Sequence, residues 1–281
     1  MMKIPRKEHP RPQMQRDTWE TLNGSWDFSK SGIDREFWKN GEYPEKIMVP
    51  FCPESRLSGI GFTDFIPAVW YRRTFQIAKE KIRGRVLLHF GAVDHLCRVW
   101  INEKEAGIHQ GGYSSFCMDI TELVTEGENV LVVYVEDDSR NGNYGRGKQS
   151  RHYKSHGCFY TRTTGIWQSV WLEFVPEAYI SGLKIETDAF QKRVFATLEL
   201  MDGEGAELQC QIFDGEKVIQ EQSVRTKGKA VTLAFFLPDA QLWTPENPHL
   251  YDMKLFLKKN GQTDELYSYF GIRTVEWKNH A

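Results

Sequence analysis

No stretch of this chain approaches the roughly 20 consecutive apolar residues that cross a bilayer as a helix, and no segment sustains an apolar period of 3.6 residues. The first residues, Met1–Arg16, are basic and punctuated by Pro5, Pro10 and Pro12. They lack the apolar core of a secretory leader. A soluble, cytoplasmic chain is therefore expected, with no membrane partner. Charge of one sign is also missing: 36 Lys and Arg face 38 Asp and Glu, a formal net charge of −2. A nucleic-acid binder needs a basic face that releases counterions, so this balance argues against that class. Cysteine is sparse. Cys52, Cys97, Cys117, Cys158 and Cys210 are odd in number and form no CxxC pair, which argues against a disulfide framework or a zinc ribbon.

What the chain has is strand. Arg85–Phe90, Leu96–Ile101, Phe116–Ile120, Asn129–Glu136 and Ile166–Phe174 are rich in β-branched and aromatic residues and lie between turn residues. Asn129–Glu136 (NVLVVYVE) is apolar on both faces, which suits a strand buried between two layers. Short helices are expected only near Asp34–Trp38 and Glu122–Thr125. After Pro176 the strands alternate cleanly. Leu208, Cys210 and Ile212 share one face, and Val231, Leu233, Phe235 and Leu237 share another. Asp214-Gly215 and Asn260-Gly261 are two-residue hairpin signals. About seven short strands in about 100 residues read as an immunoglobulin-like sandwich, without the disulfide of antibody domains. Tyr251, after Pro245 and Pro248, is a candidate tyrosine corner, an ordinary strand-start tyrosine being the alternative. The fold class is thus all-β, in two consecutive sandwiches: an arm over residues 1–14, a first domain over Gln15–Glu177 and a second over Ala178–Trp277, with no strand signal in 278–281.

Candidate chemistry concentrates in the long, polar, Gly-rich loop from Asp137 to Gly165, because loops of this length in compact domains tend to carry function. Gly142-xxxx-Gly147-Lys148-Gln149 nearly spells a phosphate loop but lacks the Ser or Thr that holds Mg²⁺, and no helix follows it. His152, His156 and Cys158 have zinc-ligand chemistry without a fourth ligand or a helical frame. No metal and no cofactor are expected. Glycoside hydrolysis needs two carboxylates flanking one bond. Glu136, Asp137 and Asp138 are consecutive at a strand end, where neighbours point to opposite faces and make a poor catalytic pair. Nor is there a GxSxG nucleophile elbow. Trp167 and Trp171, four apart on one expected strand, should share a face and belong to a core.

Several ordered blocks carry a family resemblance. Pro10–Gln13 followed by Trp19–Phe28 (WETLNGSWDF), Val49–Ile60 (VPFCPESRLSGI), Val69–Phe75, Phe90–Ile120 (FGAVDHLCRVWINEKEAGIHQGGYSSFCMDI) and Thr163–Glu173 (TTGIWQSVWLE) resemble the opening domain of glycoside hydrolase family 2, the β-galactosidase and β-glucuronidase family. Leu242–Tyr251 and Tyr269–Glu276 resemble its next domain. The chain departs where the usual Asn-Gly hairpin reads Asn102-Glu103, and a change of turn type is expected there. The resemblance implies a galactose-binding-like jelly roll followed by an immunoglobulin-like sandwich. It further implies that the two catalytic glutamates belong to a following (β/α)₈ barrel, so that this chain is expected to be a truncated, inactive front part with no catalytic residue of its own. By position in the family, Asp138, with Asp137 beside it, would contact sugar, Asp64 would be the other first-domain contribution, and Lys148 and Gln149 would lie in the segment bordering the site. The implied partners are a β-glycoside and the barrel, with a homo-oligomer compatible. Two other readings stay open: a free-standing carbohydrate-binding module with Tyr144, Tyr153, Phe159 and Tyr160 as its platform, and an adhesion-type sandwich pair, which the absent disulfides disfavour. Galactoside, glucuronide and mannoside are not distinguished.

Overall fold

The computed structural model describes residues 4–32, 37–140 and 144–276. Asp34–Glu36 of one expected helix, Gly142 of the phosphate-loop look-alike, Trp277 and residues 278–281 lie outside the described residues. The chain divides into two compact units: residues up to Pro10 with Thr18–Phe174, and Arg11–Asp17 with the residues from Val175 on. Among the described residues no helix is long and apolar enough to cross a membrane.

The first unit contains β1 (Trp19–Thr21), β2 (Gly24–Ser29), a single helical turn α1 (Phe37–Asn40), β3 (Glu45–Val49), β4 (Ala68–Ile77), β5 (Arg85–Phe90), β6 (Val93–Asp94), β7 (Leu96–Ile101), β8 (Lys104–Gln110), β9 (Phe116–Asp119), β10 (Gly127–Glu136), β11 (Gly165–Ile166) and β12 (Val170–Val175). They form a six-stranded sheet in the order β3-β2-β4-β10-β7-β8, a four-stranded sheet β1-β12-β5-β9 and the small pair β11-β6. Strand β10 is central. It pairs antiparallel with β4 from Gly127↔Ile77 to Glu136↔Ala68, and with β7 from Leu131↔Ile101 to Glu136↔Leu96. Leu131, Val133 and Val135 enter the core between the sheets with Tyr71, Leu88 and Val99. Val132 and Tyr134 point the other way, into a second cluster with Phe37, Trp70 and Trp100. Burial on both faces is why this strand carries no polar alternation. Each large apolar side chain removed from water contributes roughly 1.5–3 kcal/mol, so reversing the strand's facing would exchange both sets at once.

Two local expectations change. The run Ile166–Phe174 is not one strand: β11 ends at Ile166 and β12 begins at Val170. Trp167 and Trp171 therefore do not share a strand face. Trp167 donates Nε1–H to Gly112 O at 2.8 Å, whereas Trp171 is buried and stacks on His89 with ring centroids 4.8 Å apart. The Asn102-Glu103 turn keeps the conformation of an Asn-Gly hairpin, with φ of 48° and 69° and Ile101 paired to Lys104. The Asn102 side chain explains the tolerance, since its Oδ1 accepts Val130 N–H and its Nδ2 donates to Leu123 O and Asn129 Oδ1.

The second unit stacks β13 (Tyr179–Asp188), β14 (Arg193–Met201) and β17 (Ala230–Phe236) in one sheet. Its other sheet has the order β16-β15-β18-β19, from β15 (Glu207–Asp214), β16 (Lys217–Arg225), β18 (Tyr251–Lys259) and β19 (Gln262–Phe270). The alternating residues Leu208, Cys210, Ile212, Leu233 and Phe235 fill its core. Asn260 and Gly261 form the β18–β19 turn with φ of 50° and 75°. In the β15–β16 turn the central positions are Gly215 and Glu216, one residue later than expected, because Asp214 still pairs with Lys217. The buried Tyr251 hydroxyl accepts Gln241 N–H at 2.8 Å, tying the strand start to backbone upstream as a tyrosine corner does.

The N-terminal arm is incorporated rather than free. Within the first unit, Asn23 Nδ2 donates to Pro5 O and Arg6 O, and His9 packs edge-on to Trp19. Within the second unit, Met14 joins the core and Gln15 exchanges two backbone hydrogen bonds with Tyr267 of β19. The fully buried Arg16 grips Asp264 through Nε at 2.8 Å and NH2 at 2.9 Å. It also donates to Ile180 O, while Asp264 accepts Ile180 N–H. Sequence reading assigned Arg16 to the first domain, since nothing in the arm's composition reveals a partner 248 positions away.

Removing one member of such a pair leaves a buried, uncompensated charge. Arg16→Met should cost about 3–5 kcal/mol, read as a fall in the second unit's denaturant midpoint, with part of the loss recovered in Arg16→Met/Asp264→Leu. Glu103→Gly should raise stability by about 1 kcal/mol, because glycine adopts positive φ without the Cβ clash, read by thermal melting.

Candidate functional site

The site grows from the end of β10. Side chains alternate along a strand, and the alternation continues past Glu136: Asp137 turns inward and is buried, while Asp138 turns outward with 38% of its side chain exposed. Asp137 N–H is still held by Pro67 O at 3.0 Å, which carries the ladder one residue further. Asp138 Oδ1 accepts Arg140 N–H at 3.2 Å and lies 3.6 Å from Arg140 Nε. The candidate sugar-contacting acid is thus half-exposed in a turn, and its neighbour faces the interior.

Three distant segments meet on this rim. The Phe65 ring lies beneath two guanidinium groups, with Arg140 4.7 Å and Arg162 4.2 Å from its centroid. The buried Arg162 also donates to Thr63 O and His152 O, so one side chain ties the loop before β4 to the loop after β10. Asp64 sits beside Phe65, exposed, its Oδ1 accepting Phe65 N–H at 2.7 Å. The structure therefore brings Asp64 and Asp138 onto one edge. Lys148 is exposed on the same long loop.

Gln149, named as a candidate in the segment bordering the site, lies inside the protein. It is fully buried, donating Nε2–H to Asp94 Oδ2 at 2.7 Å and accepting Thr163 N–H at 2.8 Å. With its amide occupied inside the protein, it fixes the loop instead of reaching a ligand. Asp137, also buried, is likewise no surface contact. The loop is further closed by Ser150 N–H to Tyr160 O at 2.7 Å and by mutual bonds between His156 and Phe159. His152 and His156 pack edge to face, and His156 Nδ1 lies 3.2 Å from Ser150 Oγ. Among the described residues, no group of three or more His, Cys, Asp or Glu is arranged to hold a metal ion.

Beneath the rim lie acids that sequence reading did not single out. Glu54 and Asp94 are buried with Asp137. Thr164 joins the loop to one of them, its N–H donating to Glu54 Oε2 at 3.2 Å. Burial pushes the Asp137 carboxyl up to about 8, with Asp94, Glu54 and Asp138 adding repulsion. Burial pushes Asp94 up to about 7 against the opposing hydrogen bond from Gln149, and it raises Glu54 as well. The signal available in sequence was an acid closing the otherwise apolar run Phe90–Asp94. A second was the glycine pair ahead of Tyr113, for a Cβ on Gly112 would come within 2.0 Å of Asp94 Oδ1. Around this centre Tyr113, Tyr153, Phe159 and Tyr160 remain exposed, with the Tyr113 and Tyr160 hydroxyls 3.1 Å apart.

Comparison with known proteins gives a consistent match. Residues 20–176 match the family model for "Glycosyl hydrolases family 2, sugar binding domain", and residues 178–273 match "Glycosyl hydrolases family 2". A putative beta-glucuronidase of Formosa agariphila is 27% identical over 278 residues, covering 94% of this chain and 32% of the relative. A beta-galactosidase of Thermoanaerobacter pseudethanolicus is 25% identical, covering 75% of this chain and 29% of the relative. The chain thus spans about a third of the length of these curated relatives. Among solved structures, a β-glucuronidase from Ruminococcus gnavus in complex with D-glucuronic acid shares the fold with a TM-score of 0.72 at 22% identity, over 94% of this chain and 48% of that one.

Raised carboxyl values carry a pH signature. Between about pH 4 and pH 8 the folded state holds protons that the unfolded chain releases, so their stabilisation is complete below about 4 and is lost as pH rises through 7 to 8. The first unit's melting temperature should fall by roughly 5–10 °C between about pH 5.5 and 9. Asp137→Asn should flatten that slope in a calorimetric pH series.

Proposed function

The chain belongs to glycosyl hydrolase family 2, and on that premise we propose that it is the non-catalytic front part of a β-galactosidase- or β-glucuronidase-like glycoside hydrolase, acting as scaffold and as a rim of the sugar site. The observation that carries this reading is the convergence at Phe65, which sets Asp64 and the half-exposed Asp138 on one edge. An ionised carboxylate there accepts hydrogen bonds from sugar hydroxyls, and such charge-assisted bonds are the stronger kind. Cleavage needs an acid and a nucleophile flanking one bond. The acids raised above their ordinary range lie buried beneath the rim, away from any approaching glycoside, so bond cleavage is assigned to a separate catalytic barrel. A second reading, a carbohydrate-binding module in its own right, draws support from the exposed rings of Tyr113, Tyr153, Phe159 and Tyr160.

Asp138→Asn tests the proposal, because asparagine keeps an oxygen for Arg140 N–H and removes only the charge. In a polypeptide joining this chain to its catalytic barrel, kcat/KM on an aryl β-galactoside or β-glucuronide should fall about 10- to 150-fold, the equivalent of ~1.5–3 kcal/mol. The chain alone should show no turnover, and its stability should stay within about 0.5 kcal/mol of the parent. Unchanged kinetics together with a lower melting temperature would reduce Asp138 to a loop-stabilising residue and sink the proposal.

A further inference from the structure

Glu54, Asp94 and Asp137 come from three elements: the loop after β3, strand β6 and the end of β10. Their exposures are 8%, 0% and 3%. One oxygen of each, Glu54 Oε1, Asp94 Oδ1 and Asp137 Oδ2, is buried without a hydrogen-bond partner. His95 Nδ1, also buried and unpartnered, lies 3.7 Å from Asp94 Oδ1. Among the described residues, no Lys or Arg forms an ion pair with any of the three, whereas Asp138 on the rim has Arg140. Three ionised carboxylates buried this deeply would lose hydration and repel one another, which favours their protonated forms.

The same acids anchor the loop. Asp94 holds Gln149, which in turn holds Thr163 N–H, and Glu54 holds Thr164 N–H. The loop is therefore fastened to the acids at Gln149 and again at Thr164, just past its end, and it stays in place only while these carboxyls accept such close company.

We propose that Glu54, Asp94 and Asp137 stay protonated together and that, so loaded, they latch the 144–163 loop to the sandwich as positioning residues, releasing it when the cluster ionises. The other titratable groups facing them do not compete in the neutral range. Burial pushes the Cys52 thiol up to about 12 and Tyr71 well above its usual range. Tyr113, against Asp94, and Tyr144, against Glu136 and the two following acids, are also raised. Burial and His109 lower His95, so it stays neutral as pH rises. The carboxyls themselves are the groups that change charge as the solution turns mildly alkaline. The rim role of Asp138 rests on the function proposed above, while the latch does not.

Hydrogen exchange on this chain tests the latch, with rates corrected for the intrinsic effect of pH. The reporters are the amides of Ser150, Tyr160 and Thr163, each bonded within the loop. The ladder amides of β10 serve as the control for a folded sandwich. Between about pH 6 and pH 9 the reporters should lose at least about tenfold in protection while β10 keeps its own, as expected of local opening below the global unfolding limit. Asp137→Asn should keep the reporters protected at the higher pH, and Glu54→Gln serves the same purpose if that variant folds poorly. Equal protection at both pH values in the parent chain, or equal loss in the folded variants, overturns the latch. Either result leaves the kinetic test of Asp138 untouched.

Discussion

Burial of β10 on both faces is the constraint from which the site follows. Because Leu131, Val133 and Val135 fill one cluster while Val132 and Tyr134 fill another, the strand can neither slip nor turn over without exposing one of the two sets. Its register therefore dictates where the next residues go. Asp137 is delivered inward and Asp138 outward, and two adjacent acids acquire different chemistry from one backbone parity. Pro67 O extends the effect by holding Asp137 N–H beyond the last strand residue.

The two units handle buried acids in opposite ways. Asp264 in the second is met by the Arg16 guanidinium and by Ile180 N–H, so its charge is compensated and its lone pairs are occupied. Glu54 and Asp94 in the first each accept a hydrogen bond, and these two and Asp137 each keep one buried oxygen without a partner. Desolvation then favours the neutral form, and protons take the place that arginine fills elsewhere. The second arrangement responds to pH because a proton is a ligand whose occupancy the solvent sets.

The long loop shows how packing converts composition into function. Read as a string, Lys148 and Gln149 are equivalent polar neighbours. In the structure one is exposed and the other wholly enclosed between Asp94 and Thr163. Arg162 belongs to the same layer, joining Thr63, Phe65 and His152 from a buried position. These enclosed groups make the rim definite, and the exposed acids depend on them for their place.

Much of the fold was legible before any coordinates. The all-β character, the doubly apolar β10 and the seven alternating strands of the second unit follow from side-chain period and turn chemistry, which are local properties; the sequence left the Tyr251 corner open, and the Gln241 N–H bond decided it. Asp64 and Asp138 were named through the order of family motifs and not through spacing. The split between β11 and β12, the positive-φ Asn102-Glu103 turn and the docking of Arg16 on Asp264 were not reachable, since each depends on partners remote in sequence. The gathering of Glu54, Asp94 and Asp137 belongs with these. Sequence by itself determined which segments would be strands and which faces would be apolar. Tertiary structure alone decided which acids lose their water, because desolvation and charge repulsion depend on distance in space, and residues 54, 94 and 137 become neighbours only when the sheets close over them.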